Sequence, residues 1–503
     1  LVQTDLTRCI QCTRCVRFLD EIAGTNELGM YGRGDRSEIG TSLSQGIDSE
    51  LSGNVIDLCP VGALTNKPFR FSARAWELMA RPSLSSHDGV GSNVWYHTRR
   101  NRVLRTVPRD CEPTNETWLS DRDRYSLFGL NASDRVLEPM VKVDGKWANV
   151  SRDEGIRSAS EALRSAVTAH GASALGVLMS DSAASEEYFL AQRLTRGLDC
   201  ENIDFRLKEQ DFSDDGAGRL AEGFQTPMAA IDSASAIVLV GSHIRHEAPI
   251  LGQRVRKAWR NGAKVAALNP VDWNFHFDLA EKRIVAPQQM VAELACLAQA
   301  VAQKTGKTLP ESLQLAGNET QAGESHAAIA ELLCEGGNTV LILGQAALAH
   351  GQASWLRQLS AWIAATSGAA LNTITHGANA TGAALAGVLP AATAGGLNVR
   401  DMLTSPRQAY LLWDVEPEFD FANPALATKA LDSAETVVAI SSFAGEDLKS
   451  CADVILPLAP LAESEGLLYT LDGLSQDTGN AVSPSGDAKP GWKILRRLGA
   501  VLE

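Results

Sequence analysis

No stretch of eighteen or more uninterrupted apolar residues occurs in the 503-residue chain, so no segment reads as a membrane-spanning helix. The longest apolar runs, such as Ala236 to Val240 and Val437 to Ile440, are strand-sized. Positive charge is in deficit. Lys and Arg number 46 against 60 Asp and Glu, a net charge of −14, which argues against a nucleic-acid binder and against a polybasic membrane anchor. There is no Gly-rich phosphate loop, no nicotinamide or flavin fingerprint, and no nucleophile–base pair at useful spacing. No signal peptide or lipidation motif stands at the start. The first residue is Leu1, not Met, and the chemistry begins at Cys9, so we expect a fragment that lacks an N-terminal part. With 45% hydrophobic and 21% charged residues, the composition is that of an ordinary globular chain. The length suggests about three to four domains.

Cysteine is scarce, and its placement carries the signal. Of nine cysteines, three form the hook Cys9-Ile10-Gln11-Cys12-Thr13-Arg14-Cys15, and after forty-three intervening residues comes Cys59-Pro60. A C-x2-C-x2-C hook completed by a distant Cys-Pro is the pattern of [4Fe–4S] ligation in ferredoxin-type modules. Zinc is the first alternative, but it usually takes two short hooks or one hook and a His pair, and no His occurs among the first eighty residues. Disulfides are the second, and they would need an oxidising compartment. The remaining cysteines (Cys111, Cys200, Cys296, Cys334, Cys451) are isolated, as is usual in a reducing one. Arg8, Arg14 and Arg17 flank the hook and could offset the negative charge of four thiolates and a cluster, or simply form a solvated face. Pro60 has no N–H to satisfy, and Gly62 lets the backbone run close to a cluster.

Gly24 to Thr41 holds five glycines and reads as turns with a short hairpin. Phe69 to Leu78 leads out of the module. Asp144-Gly145 predicts a tight hairpin turn. From about residue 150 the pattern alternates helix and strand, as in doubly wound α/β domains. Ser151 can cap a helix with apolar positions at Ile156, Ala159, Leu163 and Val167. Strands are predicted over Ala174–Met179, Ala236–Val240, Lys264–Leu268, Thr339–Leu343, Ala409–Trp413 and Val437–Ile440, with helices over Ile250–Arg260 and about Gln352–Thr366. Gly241, Asn269 and Gly344 lie at carboxyl ends of strands, where such folds bind ligands. A lone strand–Gly turn is also just a turn.

The run Leu6 to Leu78, and above all the words Ser52 to Lys67 (SGNVIDLCPVGALTNK), resembles the large iron–sulfur subunit of respiratory complex I, the 75-kDa or G subunit of NADH:quinone oxidoreductase. The resemblance implies that Cys9, Cys12, Cys15 and Cys59 hold one [4Fe–4S] cluster. It also implies that a [2Fe–2S] domain and a His-containing [4Fe–4S] site precede Leu1. Residues 79–134 resemble the domain in which molybdopterin oxidoreductases hold a further cluster by C-x2-C-x3-C and a distant Cys. Those offsets fall here on Ser85, Asp88, Ser92 and Ser120. Un-ionised serine oxygens are poor cluster ligands, so we read a scaffold whose cluster is lost, with Cys111 and His87 as bystanders.

Residues 135–503 resemble the molybdopterin-oxidoreductase fold. Ala452 to Pro457 matches its ADVVLP-like turn. Gly466 to Gln476 looks like an altered pterin loop, with Thr470 and Leu474 at the positions of that loop's Asn and Arg. Asn202 to Phe212 occupies the metal-ligand region without a cysteine, leaving Asp211 and Ser213 as the conceivable stand-ins. The expected architecture is therefore α/β: a ferredoxin-like [4Fe–4S] module (1–78), a small β-rich degenerate domain (79–134) and doubly wound α/β domains (135–503).

Fold alone does not separate the functions it hosts. The intact four-cysteine set disfavours a purely structural docking module. The missing metal ligand and altered pterin loop disfavour a molybdenum or tungsten enzyme such as a formate dehydrogenase. The resemblance implies an electron-transfer subunit of a proton-translocating NADH:quinone oxidoreductase, passing single electrons toward quinone and not catalytic alone. No molybdenum or pterin is expected. Its partners would be other complex I subunits, including the NADH/FMN-binding subunit and cluster-bearing subunits, with no nucleic acid and no direct membrane span. It would lie on the cytoplasmic side of a bacterial inner membrane, or on the matrix side in a mitochondrion.

Overall fold

The computed structural model describes residues 1–41, 46–217, 223–314 and 321–502. These fall into two compact units interleaved along the chain. The first comprises Leu1–Ala80, Ser92–Leu127 and Gly223–Thr375. The second comprises Arg81–Gly91, Phe128–Glu222 and His376–Glu503.

The first unit contains a five-stranded parallel sheet in the order Glu281–Ile284, Lys264–Asn269, Ala236–Val240, Thr339–Leu343, Ala370–Thr373. Strands buried on both faces need continuous apolar runs, not alternation, and Ala236–Val240 and Thr339–Leu343 are buried throughout. Helices Met290–Thr305, Glu324–Cys334 and Ala353–Ser367 pack on the face bearing Val238, Leu268 and Leu341. Each such aliphatic side chain removed from water contributes about 1.5–3 kcal/mol.

The same unit carries the cysteine module. Strand Val2–Thr4 pairs antiparallel with Leu64–Asn66, Thr4 opposite Leu64. A hairpin joins Gly29–Tyr31 to Glu38–Gly40. A second hairpin joins Asn93–Arg99 to Arg102–Pro108. Its tip, Arg100-Asn101, has both φ angles positive, the backbone that matches the twist of paired strands.

The second unit is built on a seven-stranded sheet. Ile203–Asp204, Leu175–Met179, Ala409–Trp413, Thr436–Ser441 and Val454–Pro457 run parallel, and Met140–Val143 and Lys146–Asn149 extend the sheet antiparallel. Alternate residues of one strand feed opposite cores. Leu411 and Trp413 join Leu163 and Tyr188 on one face, while Tyr410 and Leu412 join Met402 and Leu431 on the other. Helix Arg152–His170 begins as expected, the Ser151 side chain accepting from Glu154 N–H. The Asp144-Gly145 pair forms the hairpin turn with φ of 49° and 75°. Ala174 ends a short 3-10 turn instead of opening the strand, which starts at Leu175. The strand expected to stop at Leu268 runs on through Asn269.

Candidate metal centre

Two features of the backbone bring the hook to Cys59. The pairing of Val2–Thr4 with Leu64–Asn66 sets the entry to the hook beside the exit from Cys59-Pro60, and Asp5 N–H donates to Ala63 O at 2.7 Å. The hook itself opens through two non-glycine residues in left-handed conformation, Gln11 and Thr13. Gln11 Nε2 donates to Ser37 O at 2.7 Å, tying the hook to the first hairpin. Cys15 sits on helix Arg14–Arg17, which widens into the π-type turn Phe18–Ala23 with Phe18 and Leu19 buried.

Cys9, Cys12, Cys15 and Cys59 line one cavity of about 320 Å³, whose lining also includes Leu28, Ile39, Val61, Ala63 and Leu64. Backbone N–H groups point at the sulfurs: Gln11 N to Cys9 Sγ at 3.4 Å, and Ala63 N and Leu64 N to Cys59 Sγ at 3.2 and 3.4 Å. Gly62, at φ 64°, makes the turn that aims the latter two. N–H groups aimed at ligand sulfurs are the contacts by which a protein tunes a bound cluster. Burial pushes the Cys15 thiol up, backbone N–H groups oppose this, and the neighbouring Cys12 and Cys59 sulfurs add to it. A thiol raised in this way becomes a ligand when a cation is at hand to displace its proton.

Of the three arginines, Arg14 lines the cavity. Arg8 pairs with Asp5 at 3.3 Å and Arg17 with Glu21 at 2.8 Å, so these two belong to the solvated face. Among the described residues no three His, Cys, Asp or Glu side chains converge on a single metal ion. A donor set wrapped around a cavity suits a multinuclear group, whose ligands are spread over its corners.

The helix that delivers Cys59, Asn54–Leu58, is clamped by residues 119–124, which reading by spacing misses. Asn54 Nδ2 donates to Leu119 O at 2.8 Å, and Asn54 Oδ1 accepts from Leu119 N at 3.0 Å. Asp121 accepts from Gly53 N at 2.6 Å and from Ser52 Oγ at 2.5 Å. Arg124, fully buried, reaches Asp57 at 2.5 Å. Gly53 has no room for a Cβ, which would lie 2.5 Å from Arg124 Nε. The non-cysteine letters of the Ser52–Cys59 motif are therefore packing letters. A signal was present in the unusual run Ser-Gly-Asn ahead of an apolar turn, but its partners lie more than sixty residues away.

Three of the four positions at the second cluster's offsets hold hydrogen bonds within the protein, and the fourth is buried. Ser120 caps helix Asp121–Tyr125, accepting from Asp123 N. Asp88 accepts from Val90 N at 3.0 Å, Ser85 accepts from His87 N at 3.4 Å, and Ser92 is fully buried. Cys111 forms an isolated bridge with Glu116.

The strand ends expected to be ligand sites are filled by protein. Ala236–Val240 and Thr339–Leu343 are the neighbours between which the strand order reverses, where a crevice is normally open. Here Ala347 N donates to Gly241 O, and a Cβ on Gly344 would lie 2.6 Å from that same oxygen. Asn269 Oδ1 accepts from Ser242 N at 2.9 Å. The Glu247 carboxylate takes the hydroxyl of Ser242 and the N–H of His243, with further backbone bonds from Gln345 and Ala346. A side-chain carboxyl thus occupies the donors that would face a phosphate.

In the second unit Asp211 accepts from Ser213 N and Oγ, so both stand-in metal ligands face each other. The Thr470 hydroxyl accepts from Leu474 N within the turn of hairpin Gly466–Tyr469/Ser475–Thr478, and Leu471 N donates to Gly89 O. Carboxylates gather past the parallel strands: burial raises Asp414, and raises Glu416 to about 7 and Asp420 to about 6.

Three family models match successive segments of the chain. Residues 1–65 match the NADH-quinone oxidoreductase subunit 3 ferredoxin-like domain, 80–127 the NDSU1/NuoG-like 4Fe-4S domain of NADH-ubiquinone oxidoreductase, and 135–501 molybdopterin oxidoreductase. Over its whole length the chain is 30% identical to the G subunit of the Rickettsia felis NADH-quinone oxidoreductase, covering 67% of that protein. The chain belongs to the G-subunit family of NADH-quinone oxidoreductases.

The mitochondrial 78 kDa subunit of Neurospora crassa NADH-ubiquinone oxidoreductase is 30% identical over all of this chain. The chain spans 62% of that relative's length. As a member of the G-subunit family it pairs iron–sulfur modules with a molybdopterin-oxidoreductase-like α/β fold, as expected. Two solved structures share that fold at low identity. Acetylene hydratase from Pelobacter acetylenicus superposes with a TM-score of 0.67 at 14% identity, covering 84% of this chain and 69% of that one. A chain of the formyltransferase/hydrolase complex of Methylorubrum extorquens gives 0.51 at 16%, covering 72% and 98%. Among the described residues no helix is long and apolar enough to cross a membrane.

Proposed function

We propose that the chain is an electron-relay part of a proton-translocating NADH:quinone oxidoreductase, and that Cys9, Cys12, Cys15 and Cys59 hold its one [4Fe–4S] cluster. The observation that carries this is the convergence of all four thiols on one cavity with backbone N–H groups aimed at two of them. When bound, such a cluster supplies one-electron transfer at a low potential. The chain's own residues do the rest. The cysteines fix the group in place, the N–H donors of Gln11, Ala63 and Leu64 stabilise charge on sulfur, and Leu28, Ile39 and Leu64 exclude water from one side. The Asn54–Leu119 clamp holds the fourth ligand at a fixed distance from the hook.

Electrons would arrive from NADH by way of a flavin in a partner subunit and leave through clusters in others. The chain would attach to the membrane peripherally through the complex, on the cytoplasmic face in a bacterium or the matrix face in a mitochondrion. The α/β region would serve as scaffold with no molybdenum or pterin. Support comes from Asp211 and Ser213 bonded to each other, Thr470 and Leu474 closing a turn, and carboxylates where a pyrophosphate would need cations or free N–H groups. Metal and pterin analysis of anaerobically purified protein tests the reading. About four irons per chain without molybdenum agrees with it, and stoichiometric molybdenum with pterin sinks it.

A further inference from the structure

We infer that the first unit carries a docking surface for the acidic face of another protein chain, centred on Phe71, Trp76 and the arginines around them. The chain as a whole is acidic, at −14. Yet residues 67–80 and 92–109, all in this unit, hold eight cationic side chains and a single acidic one, Glu77. Within the same surface Phe71 is 90% exposed and Trp76 is 83% exposed. Polar and ring contacts knit the pieces together: Arg99 bonds Glu77 at 2.7 Å, Thr98 Oγ1 donates to Met79 O at 3.3 Å, and the Arg105 guanidinium lies 4.5 Å above the Phe69 ring. Lys67, Arg74, Arg100 and Arg102 face solvent around them.

Phe71 supplies an independent observation. Its φ is 67°, a left-handed conformation that a bulky side chain adopts only at a cost. The same residue leaves its aromatic ring in water, where it forgoes the free energy of burial as well. Folding alone favours neither, and burial of the ring against a partner recovers the free energy of burial and offsets the strain. The Arg70 guanidinium, 4.8 Å from the ring centroid, presents it.

The chemistry selects the occupant. Seven of the eight cations are arginine, the residue that with Trp is enriched at protein–protein hot spots, while Lys is depleted there. Guanidinium forks pair bidentately with carboxylates. An anionic bilayer is disfavoured because the remainder of the chain would be repelled from it. A face bearing Asp and Glu around an apolar pocket satisfies both parts of the patch. The inference rests on the reading of the chain as one subunit of an assembly.

The test uses the full chain in its isolated complex, with p-benzoylphenylalanine at position 76 for photocrosslinking, and two variants, Arg74→Glu/Arg100→Glu and Phe71→Gly/Trp76→Ser. We expect the crosslink to end in a segment rich in Asp and Glu on a co-assembled subunit. Each variant should weaken retention of the chain in the complex by roughly tenfold or more, with added salt weakening the parent in the same direction. The cubane EPR signal should be unchanged in both. Phe71→Gly alone should unfold at or above the parental temperature, because it relieves strain and exposes nothing. Parental retention in both variants overturns the docking surface while leaving the relay reading standing. A crosslink only to lipid, or flotation with phosphatidylcholine–phosphatidylserine vesicles that depends on Trp76, overturns it in favour of a membrane surface. A lowered melting temperature for Phe71→Gly overturns it in favour of a structural role.

Discussion

Asn54 and Leu119 are joined by a reciprocal pair of hydrogen bonds, side-chain amide to backbone, at 2.8 and 3.0 Å. Both residues are buried. The pair ties the helix that ends at Cys59 to a loop sixty-five residues on. The fourth thiol is therefore positioned by a segment that carries no cysteine of its own at the cluster offsets. Asn54→Leu leaves the N–H and C=O of Leu119 without partners, at about 1–3 kcal/mol for each orphaned group. We expect lower thermal stability and partial loss of iron on gel filtration. Full iron retention in this variant would show that Cys59 keeps its place without the clamp.

Cys12 is the exposed member of the four. Cys12→Ala should therefore change unfolding of the metal-free chain by less than about 0.5 kcal/mol, as at other open sites, yet abolish or reshape the low-temperature EPR signal of the reduced protein. Cys200→Ala is the opposite control. Cys200 is buried with its sulfur 3.3 Å from Leu175 O, so its loss should lower stability and leave iron content alone. An unchanged cubane signal in Cys12→Ala would remove Cys12 from the ligand set.

Much of this was legible in the sequence, for local reasons. Ala236–Val240, Thr339–Leu343 and Ala409–Trp413 declare themselves because a strand buried on both faces must be apolar throughout. Ser151 and Asp144-Gly145 act on their own neighbours. The hook is legible because its ligands are two residues apart. What is not legible is long-range. Nothing in Val2–Thr4 names Leu64–Asn66 as its partner, and the roles of Ser52, Gly53 and Asn54 exist only against Leu119, Asp121 and Arg124. How the parallel strands divide between two sheets is equally hidden, since buried apolar strands look alike until helices are packed on them. The glycines at strand ends are ambiguous in sequence for a physical reason: a turn that cradles a phosphate and one packed against a neighbouring loop both need the missing side chain.

That ambiguity gives a prediction at Gly344. A Cβ there would overlap the backbone and side chain of Ser242 and approach Gly241 O to 2.6 Å. Gly344→Ala should destabilise the chain by about 1–3 kcal/mol through overpacking, measured by urea unfolding. Added nucleotide should not rescue it, because Glu247 already occupies the donors at this crevice. Stabilisation of the parent by a nucleotide would mean that the crevice opens.

The second unit should lose stability as pH rises from the acidic range to neutrality. Burial raises Glu187 to about 7, Glu416 to about 7 and Asp420 to about 6 from ordinary values of 4.5, 4.5 and 3.8. A carboxyl group raised by folding holds its proton longer in the native state than in the unfolded one. Its contribution is present in full below the unfolded value and is lost as pH climbs through the folded one. The window is therefore about pH 4 to 7, and the direction is opposite to that of a salt-bridged carboxylate. Glu416 owes part of its shift to Asp420, after burial, and Glu416 N–H donates to Asp420 at 2.8 Å. Asp420→Asn should flatten the decline twice over, by removing one titrating group and by letting Glu416 ionise lower. Melting temperatures measured from pH 4.5 to 7.5 decide it. A parental slope in Asp420→Asn would show that these carboxyls are solvated in solution and that the decline, if any, belongs to Glu187, held by Gly491 N and Ala184 N in the core.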